Sequence, residues 1–169
     1  NISGTTIHHK LLEEELADWH KTDTSLIFTS GYVANETTLT TLAANIPDCI
    51  VFSDELNHAS MINGICGSRA KKHIFRHNDV HHLESLLTMY PIDQPKLVAI
   101  ESVYSMDGDF APLQEIRDLC HQYNALSYVD EVHGIGMYGH EGAGVVEQMG
   151  LTGEFDIIQG TFGKAVGLI

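Results

Sequence analysis

The chain has 169 residues, 43% hydrophobic and 19% charged, which is enough length and apolar material for one packed domain. Nine Lys and Arg against 23 Asp and Glu leave a formal charge of −14. That surplus argues against a nucleic-acid grip built on neutralising phosphates, and it opposes an anionic membrane surface.

Helical and strand-like patterns alternate along the chain. Thr6 to His20 reads as a helix, with Ile7, Leu11, Leu12, Leu16 and Trp19 on one side and Glu13, Glu14 and Asp18 on another. Leu26 to Thr29 is a short strand pattern. Val33 to Asn45 is helical and is stopped by Pro47. Ile50 to Phe52 is an apolar strand, and Ala59 to Gly67 a helix. The cations Arg69, Lys71, Lys72 and Arg76 fit either a solvated helix end or a seat for an anionic substrate. Val80 to Tyr90 is a helix with Leu83, Leu86 and Leu87 inward, and Leu97 to Ile100 is a fully apolar strand. Pro112 to Tyr123 is a helix with proline in its first turn. Two more strands follow, Ala125 to Val129 and Phe155 to Gln159. The pattern predicts an α/β architecture, a mostly parallel sheet with helices on both faces.

Cys49, Cys66 and Cys120 are widely spaced and form no C-x-x-C. They predict small buried or half-buried residues in a reducing compartment, not a disulfide framework or a zinc site. Asn1 is no initiator, and the chain stops within a Gly-rich continuation, Gly163 to Ile169. Residues 1–169 are therefore expected to be an internal piece of a longer protein.

In open parallel sheets, ligands sit beyond the carboxyl ends of the strands. Polar residues cluster at those points: Ser53-Asp54, Glu101-Ser102, Asp130-Glu131-Val132-His133 and Thr161-Phe162-Gly163-Lys164. An acid and a histidine after one strand, with a lysine after the next, suit an aromatic aldehyde cofactor such as pyridoxal phosphate (PLP). The Lys164 amine can bind the aldehyde as a Schiff base. Asp130 can keep a pyridine nitrogen protonated, which makes the ring an electron sink. His133 can donate to the phenolic oxygen, and Glu131 can point away along the turn. Ser30-Gly31-Tyr32 opens a helix whose N–H groups can bind a phosphate, with Thr161 adding a hydroxyl. His58 can stack on an aromatic ring or simply start a helix.

Gly134-x-Gly136-x-x-Gly139 matches the dinucleotide fingerprint of a nucleotide-binding oxidoreductase. The fingerprint requires its glycines to open a helix directly after the strand. Here Tyr138, His140, Gly142 and Gly144 prolong a loop, so that reading is set aside. Asp54 to His58 lacks the spacing of a metal site.

Several long segments closely resemble the α-oxoamine synthases, which belong to the aspartate-aminotransferase-like (fold type I) PLP enzymes. They are Asn1 to Thr5, Ser53 to Ile62, Phe75 to Asp79, Val103 to Asp109 and Asp156 to Thr161. The match covers essentially the whole chain and implies that residues 1–169 are the central part of a PLP-binding large domain. The segments look most like the members that condense glycine with succinyl-CoA to give 5-aminolevulinate, coenzyme A and carbon dioxide, a step toward tetrapyrroles such as heme. The alternatives within the family make 2-amino-3-ketobutyrate or 8-amino-7-oxononanoate.

The resemblance implies roles by position. Lys164 would hold the cofactor aldehyde, Asp130 the pyridinium nitrogen and His133 the phenolic oxygen, with Ser105 nearby. His58 would stack over the ring. Thr161 and the Gly31-Tyr32 backbone would hold the phosphate. Asn1, Ile2, Ser53 and Lys72 would lie toward succinyl-CoA. It also implies a homodimer, in a bacterial cytoplasm or a eukaryotic mitochondrial matrix. Phe162 stands where leucine is common, and Gly134 where alanine is common; neither change removes a reacting group.

Overall fold

The computed structural model describes residues 4–168. A single sheet runs through the middle, built from β1 (Ile50–Asp54), β2 (Lys71–Phe75), β3 (Lys96–Glu101), β4 (Leu126–Asp130) and β5 (Ile157–Gln159). The strand order is β2-β1-β3-β4-β5 and every pairing is parallel. The helices are α1 (Ile7–His20), α2 (Gly31–Asn45), α3 (Ala59–Ser68), α4 (Val80–Leu87), α5 (Leu113–Gln122) and the short α6 (Val145–Gln148).

Successive strand side chains point to opposite faces, and the central strands are apolar on both. Ile50, Phe52, Val98, Ile100 and Val129 pack on one side with Leu83 and Leu87 of α4 and Leu113, Ile116 and Leu119 of α5. Val51, Leu97, Ala99 and Tyr128 pack on the other with Leu39 and Ala43 of α2 and Met61 and Ile65 of α3. The sheet is thus covered on both faces, as the sequence pattern predicts.

Several expectations need correction. Leu26 to Thr29 forms no strand. The Ile27 N–H donates to Glu13 Oε1 (3.1 Å) and the Ser25 hydroxyl to Glu13 O (2.6 Å), so α1 holds this segment as an extended tether, with Leu26 70% exposed. Of the cations, Arg69 caps the end of α3, whereas Lys71 and Lys72 sit on β2, an edge strand whose exposed charges discourage further pairing. Arg76 pairs with Asp79 (2.6 Å). Cys66 is exposed, whereas Cys49 and Cys120 are buried, and all three are free thiols. The loop that runs through Gly144 ends in a helical turn at residues 145–148. Among the described residues, no helix is long and apolar enough to cross a membrane.

Candidate active site at the carboxyl edge of the sheet

The chain leaves β1 toward β2 and then returns to the far side of β1 to lay down β3. That reversal opens a crevice above the strand ends, where such sheets bind ligands. The ends stand level: Asp130 is in register with Glu101 on one side and Gln159 on the other.

Burial makes this edge electrostatically costly. Asp54, Glu101, Asp130 and Glu131 are all buried, and among the described residues none pairs with a lysine or arginine. Desolvation raises the Asp130 pKa, with hydrogen bonds from Asn35 and the Val132 amide pulling the other way. Desolvation and then the neighbouring Asp130 charge push Glu101 up to about 8. Desolvation also raises Glu131, which is held by the Ser102 hydroxyl (2.6 Å) and the Val146 amide (2.6 Å).

One hydrogen-bond network spans the crevice. The Tyr128 hydroxyl donates to Asn35 Oδ1 (2.6 Å), which fixes that amide so that its Nδ2 donates to Asp130 Oδ2 (2.6 Å) and to Ser60 Oγ (3.0 Å). The Val132 amide donates to Asp130 Oδ1 (2.8 Å). Ser60 Oγ lies 2.7 Å from His58 Nδ1, which also accepts from the Ser60 amide, so a neutral His58 carries its hydrogen on Nε2. The His58 amide in turn donates to Glu101 Oε1 (2.5 Å), and Glu101 Oε2 lies 4.0 Å from His133 Nδ1. Asp130, His58 and Glu101 are therefore joined through Asn35 and Ser60, with His133 facing Glu101 beyond hydrogen-bond distance. The sequence signal for Asn35 was its position: a polar residue on the buried stripe that continues as Leu39 and Ala43.

At the other end of the crevice, the first turn of α2 faces the segment after β5. A Cβ placed on Gly31 would lie 3.2 Å from Gln159 Nε2 and 3.3 Å from Thr161 Cβ. The Gly31 and Tyr32 amides have no acceptor within the helix. The Gln159 Oε1 atom is buried and lacks a hydrogen-bond partner. Tyr32 meets the His58 ring edge-on at 6.3 Å. Lys164 is exposed, and its segment stands beside the loop after Asp130: a Cβ on Gly136 would come within 2.7 Å of the Ala165 Cβ. Ser105 sits on an exposed turn after β3.

This edge fits a group with a cationic ring nitrogen at one end and a phosphate at the other. Asp130 is a buried anion gripped only by neutral donors, and the α2 N-terminus offers free amides.

Other sequence candidates lie apart. Ser53 is buried, its hydroxyl bonded to Asn57 Nδ2 (2.9 Å) and facing no open space. Lys72 is near the amino end of β2, separated from β4 by β1 and β3, with Nζ 3.5 Å from Cys66 Sγ. Asn1 and Ile2 lie outside the described residues. In the Gly134 to Gly139 stretch, the glycines form turns with φ of 79° at Gly136 and 88° at Gly139, and no helix opens there.

The sequence profile described as "Aminotransferase class I and II" matches residues 1–169. The chain belongs to that family. Among family members, a 5-aminolevulinate synthase from Paracoccus denitrificans is 55% identical over 99% of this chain and 41% of its own length. One from Rickettsia bellii is 54% identical over 100% of this chain and 41% of its own length. The chain thus spans about two fifths of the curated relatives it matches. A solved serine palmitoyltransferase from S. paucimobilis, with a bound PLP–myriocin aldimine, superposes with a TM-score of 0.91 at 38% identity, covering 98% of this chain and 41% of that one. An 8-amino-7-oxononanoate synthase from Francisella tularensis superposes at 0.80 with 26% identity, covering 98% and 47%.

Proposed function

We propose that residues 1–169 are the central part of the PLP-binding large domain of a 5-aminolevulinate synthase, which joins glycine to succinyl-CoA and releases coenzyme A and carbon dioxide. The observation that carries the PLP reading is Asp130, a buried carboxylate at a strand end with both oxygens fixed by neutral donors and no lysine or arginine beside it. The 55% identity to 5-aminolevulinate synthases favours glycine and succinyl-CoA over the alternatives.

When bound, PLP supplies a protonated pyridine ring that draws off the electron pair left as a proton leaves the amino acid Cα. Asp130 keeps the ring nitrogen protonated, because a buried anion favours a neighbouring cation. Asn35 and the Val132 amide hold that carboxylate in place. Lys164 would hold the cofactor aldehyde, and its amine would serve as the base at the glycine Cα. His133 and Ser105 would bond the phenolic oxygen, and the His58 ring would lie beside the pyridine. Thr161 Oγ1 and the Gly31 and Tyr32 amides would hold the phosphate. Asn1, Ile2, Ser53 and Lys72 are assigned to succinyl-CoA; the exposed Lys72 ammonium suits a coenzyme A phosphate, whereas Ser53 lies buried against Asn57. The full-length protein works as a homodimer.

Borohydride reduction of the PLP-loaded full-length protein, followed by peptide mapping, tests the site. The label is expected on Lys164, and a label on another lysine overturns the assignment. Product assays with glycine, serine and alanine against several acyl-CoAs test the substrates; a preference for any pair other than glycine and succinyl-CoA moves the protein elsewhere in the family.

A further inference from the structure

Outside the Asp130 network, a second charge cluster lies at the end of β1, enclosed at Asp54 and open to solvent at Asp109. His77, in the loop between β2 and α4, points both ring nitrogens at carboxylates. Nδ1 donates to Asp54 Oδ1 (2.9 Å) and Nε2 donates to Asp109 Oδ2 (2.8 Å). Two carboxylate partners favour the imidazolium, which alone has two N–H donors, although Asn78 Nδ2 also lies 3.1 Å from Nε2. Asp54 is fully enclosed and also accepts from the Leu56 amide (2.9 Å) and the Asn78 amide (3.0 Å). Asn78 Nδ2 donates to Asp109 Oδ2 (2.9 Å) and to Phe110 O (3.1 Å). The edge of Tyr104 packs on the imidazole at 4.4 Å.

Asp109 and Tyr104 belong to one tight turn. The Tyr104 amide donates to Asp109 O (3.0 Å), the Gly108 amide donates to Tyr104 O (2.8 Å), and Val103 bridges to Phe110. At its tip the turn carries Ser105 and Met106, which is 91% exposed. Tyr104 is buried in the core, and its hydroxyl accepts from the Glu101 amide (3.4 Å); beside that anchor and the Asn78 contacts, His77 supplies the charged tie between the turn and the sheet edge.

We propose that His77 is a positioning residue: bridging Asp54 and Asp109, it pins the 103–110 turn, and with it Ser105, to the carboxyl end of β1. The proposal rests on the reading of Ser105 as a cofactor contact. It deepens that reading by naming what sets the turn in place.

The pin is pH-dependent, and its sign follows from its surroundings. The groups facing His77 are Asp54 from β1, Asp109 and Tyr104 from the turn, Glu55, whose Oε1 accepts the His77 amide (2.8 Å), and Glu101 from β3. Burial alone lowers the His77 pKa, but the hydrogen bonds to Asp54 and Asp109 outweigh it and the net shift is upward. A raised pKa means the pin is fully present below the ordinary imidazole value and is lost as pH rises through the folded-state value.

The test uses the full-length protein, with amide hydrogen exchange across residues 103–110 followed from acid to alkaline pH and corrected for intrinsic rates. Asp109→Asn is the main variant, because it cuts the turn side of the bridge and leaves enclosed Asp54 paired; His77→Gln is the second. In the unaltered protein, protection of the turn is expected to fall as His77 loses its proton. Both variants are expected to lower that protection roughly tenfold at acidic pH, the weight of one charge-assisted hydrogen bond, and to flatten its pH dependence. They are also expected to weaken PLP binding severalfold while the borohydride label stays on Lys164. Turn protection that is unchanged in Asp109→Asn, or that keeps its pH dependence in His77→Gln, overturns the proposal. A turn that loosens in a protein that takes no PLP at Lys164 supports the pin and overturns the proposed function instead.

Discussion

The two ends of β3 carry buried ionisable groups of opposite sign, and the contrast between them separates a structural group from a functional one. Lys96 opens the strand at 1% exposure, and Glu101 closes it at 2%. The Lys96 ammonium sits in a cage of carbonyls, donating to Pro91 O (2.6 Å), Gln94 O (2.9 Å) and Tyr123 O (3.1 Å). Burial lowers its pKa, but each of its donors has an acceptor, and it closes the loop before β3 against the end of α5. Glu101 has one firm donor, the His58 amide, a distant histidine, and the charge of Asp130 on the neighbouring strand. A buried charge with a closed shell holds a fold together. One left short of countercharge beside another acid marks the place where a cationic ligand is stabilised.

The sharpest way to break this contrast is to neutralise the carboxyl edge and the amino edge in turn. Asp130→Asn is expected to lower the rate of the proposed condensation by about a hundred- to a thousandfold, the cost of removing one preorganised electrostatic contact. Its folding stability is expected to change by only about 1 kcal/mol, because relief of the buried charge offsets the strained contact with Asn35, whose amide cannot turn without losing the Tyr128 hydroxyl. Steady-state assays alongside urea melts of the full-length protein check both halves. Lys96→Met should reverse the pattern: about 3 kcal/mol of stability lost, as the carbonyl cage is left without a donor, and activity per folded molecule retained. A Lys96 variant that keeps its stability and loses its chemistry would invert the contrast.

Glu101→Gln sharpens the comparison through pH. The folded-state pKa of Glu101, about 8, lies above its ordinary value of 4.5, so the folded protein binds more protons than the unfolded one between those limits. Stability contributed by this group is present at low pH and falls as pH rises through that window, by on the order of a few kcal/mol. Glutamine keeps the shape and the acceptor for the His58 amide but cannot ionise. Urea midpoints measured from pH 5 to 9 are expected to slope less steeply in the variant, though Asp130 and Glu131, raised in the same sense, leave part of the slope in place.

The same contrast bears on what the sequence could disclose. The apolar runs at 50–52, 97–100 and 125–129 announce a sheet buried on both faces, and polar residues directly after them announce the crevice, because strand ends are local features. Lys71 to Phe75 was harder. Its cations mask a strand, and only the neighbouring β1 makes an edge out of it. Glu101 was visible as a strand-end acid, but its link to His58 spans 43 residues and comes from the registry of β3 against the α3 cap. Asn35 and Asp130 are 95 residues apart and meet only because α2 lies across the sheet. His77 gave no signal as a lone loop histidine, since both of its partners are remote in the chain. Local patterning reveals where a site lies; the residues that hold it taut depend on contacts that no short window contains.

The smallest effect is expected at Gly31, and it asks whether the helix end of the crevice belongs with the functional charges or with the structural ones. Gly31 is the first residue of α2 and has ordinary helical backbone, so alanine there would gain up to about 1 kcal/mol in helix propensity. The added methyl would lie 3.2 Å from Gln159 Nε2 and 3.3 Å from Thr161 Cβ, close enough that one of them must give by a few tenths of an ångström. These two effects roughly cancel in the folding equilibrium, so the urea midpoint of Gly31→Ala should barely move. The methyl also crowds Thr161 Oγ1, at 3.4 Å, however, and stands beside the amides assigned to the phosphate. PLP affinity, measured by titrating the cofactor-free full-length protein, is therefore expected to fall about tenfold, as one hydrogen bond to a charged group is lost. An unchanged affinity would mean that the phosphate lies elsewhere and that the tight approach of α2 to β5 serves packing alone.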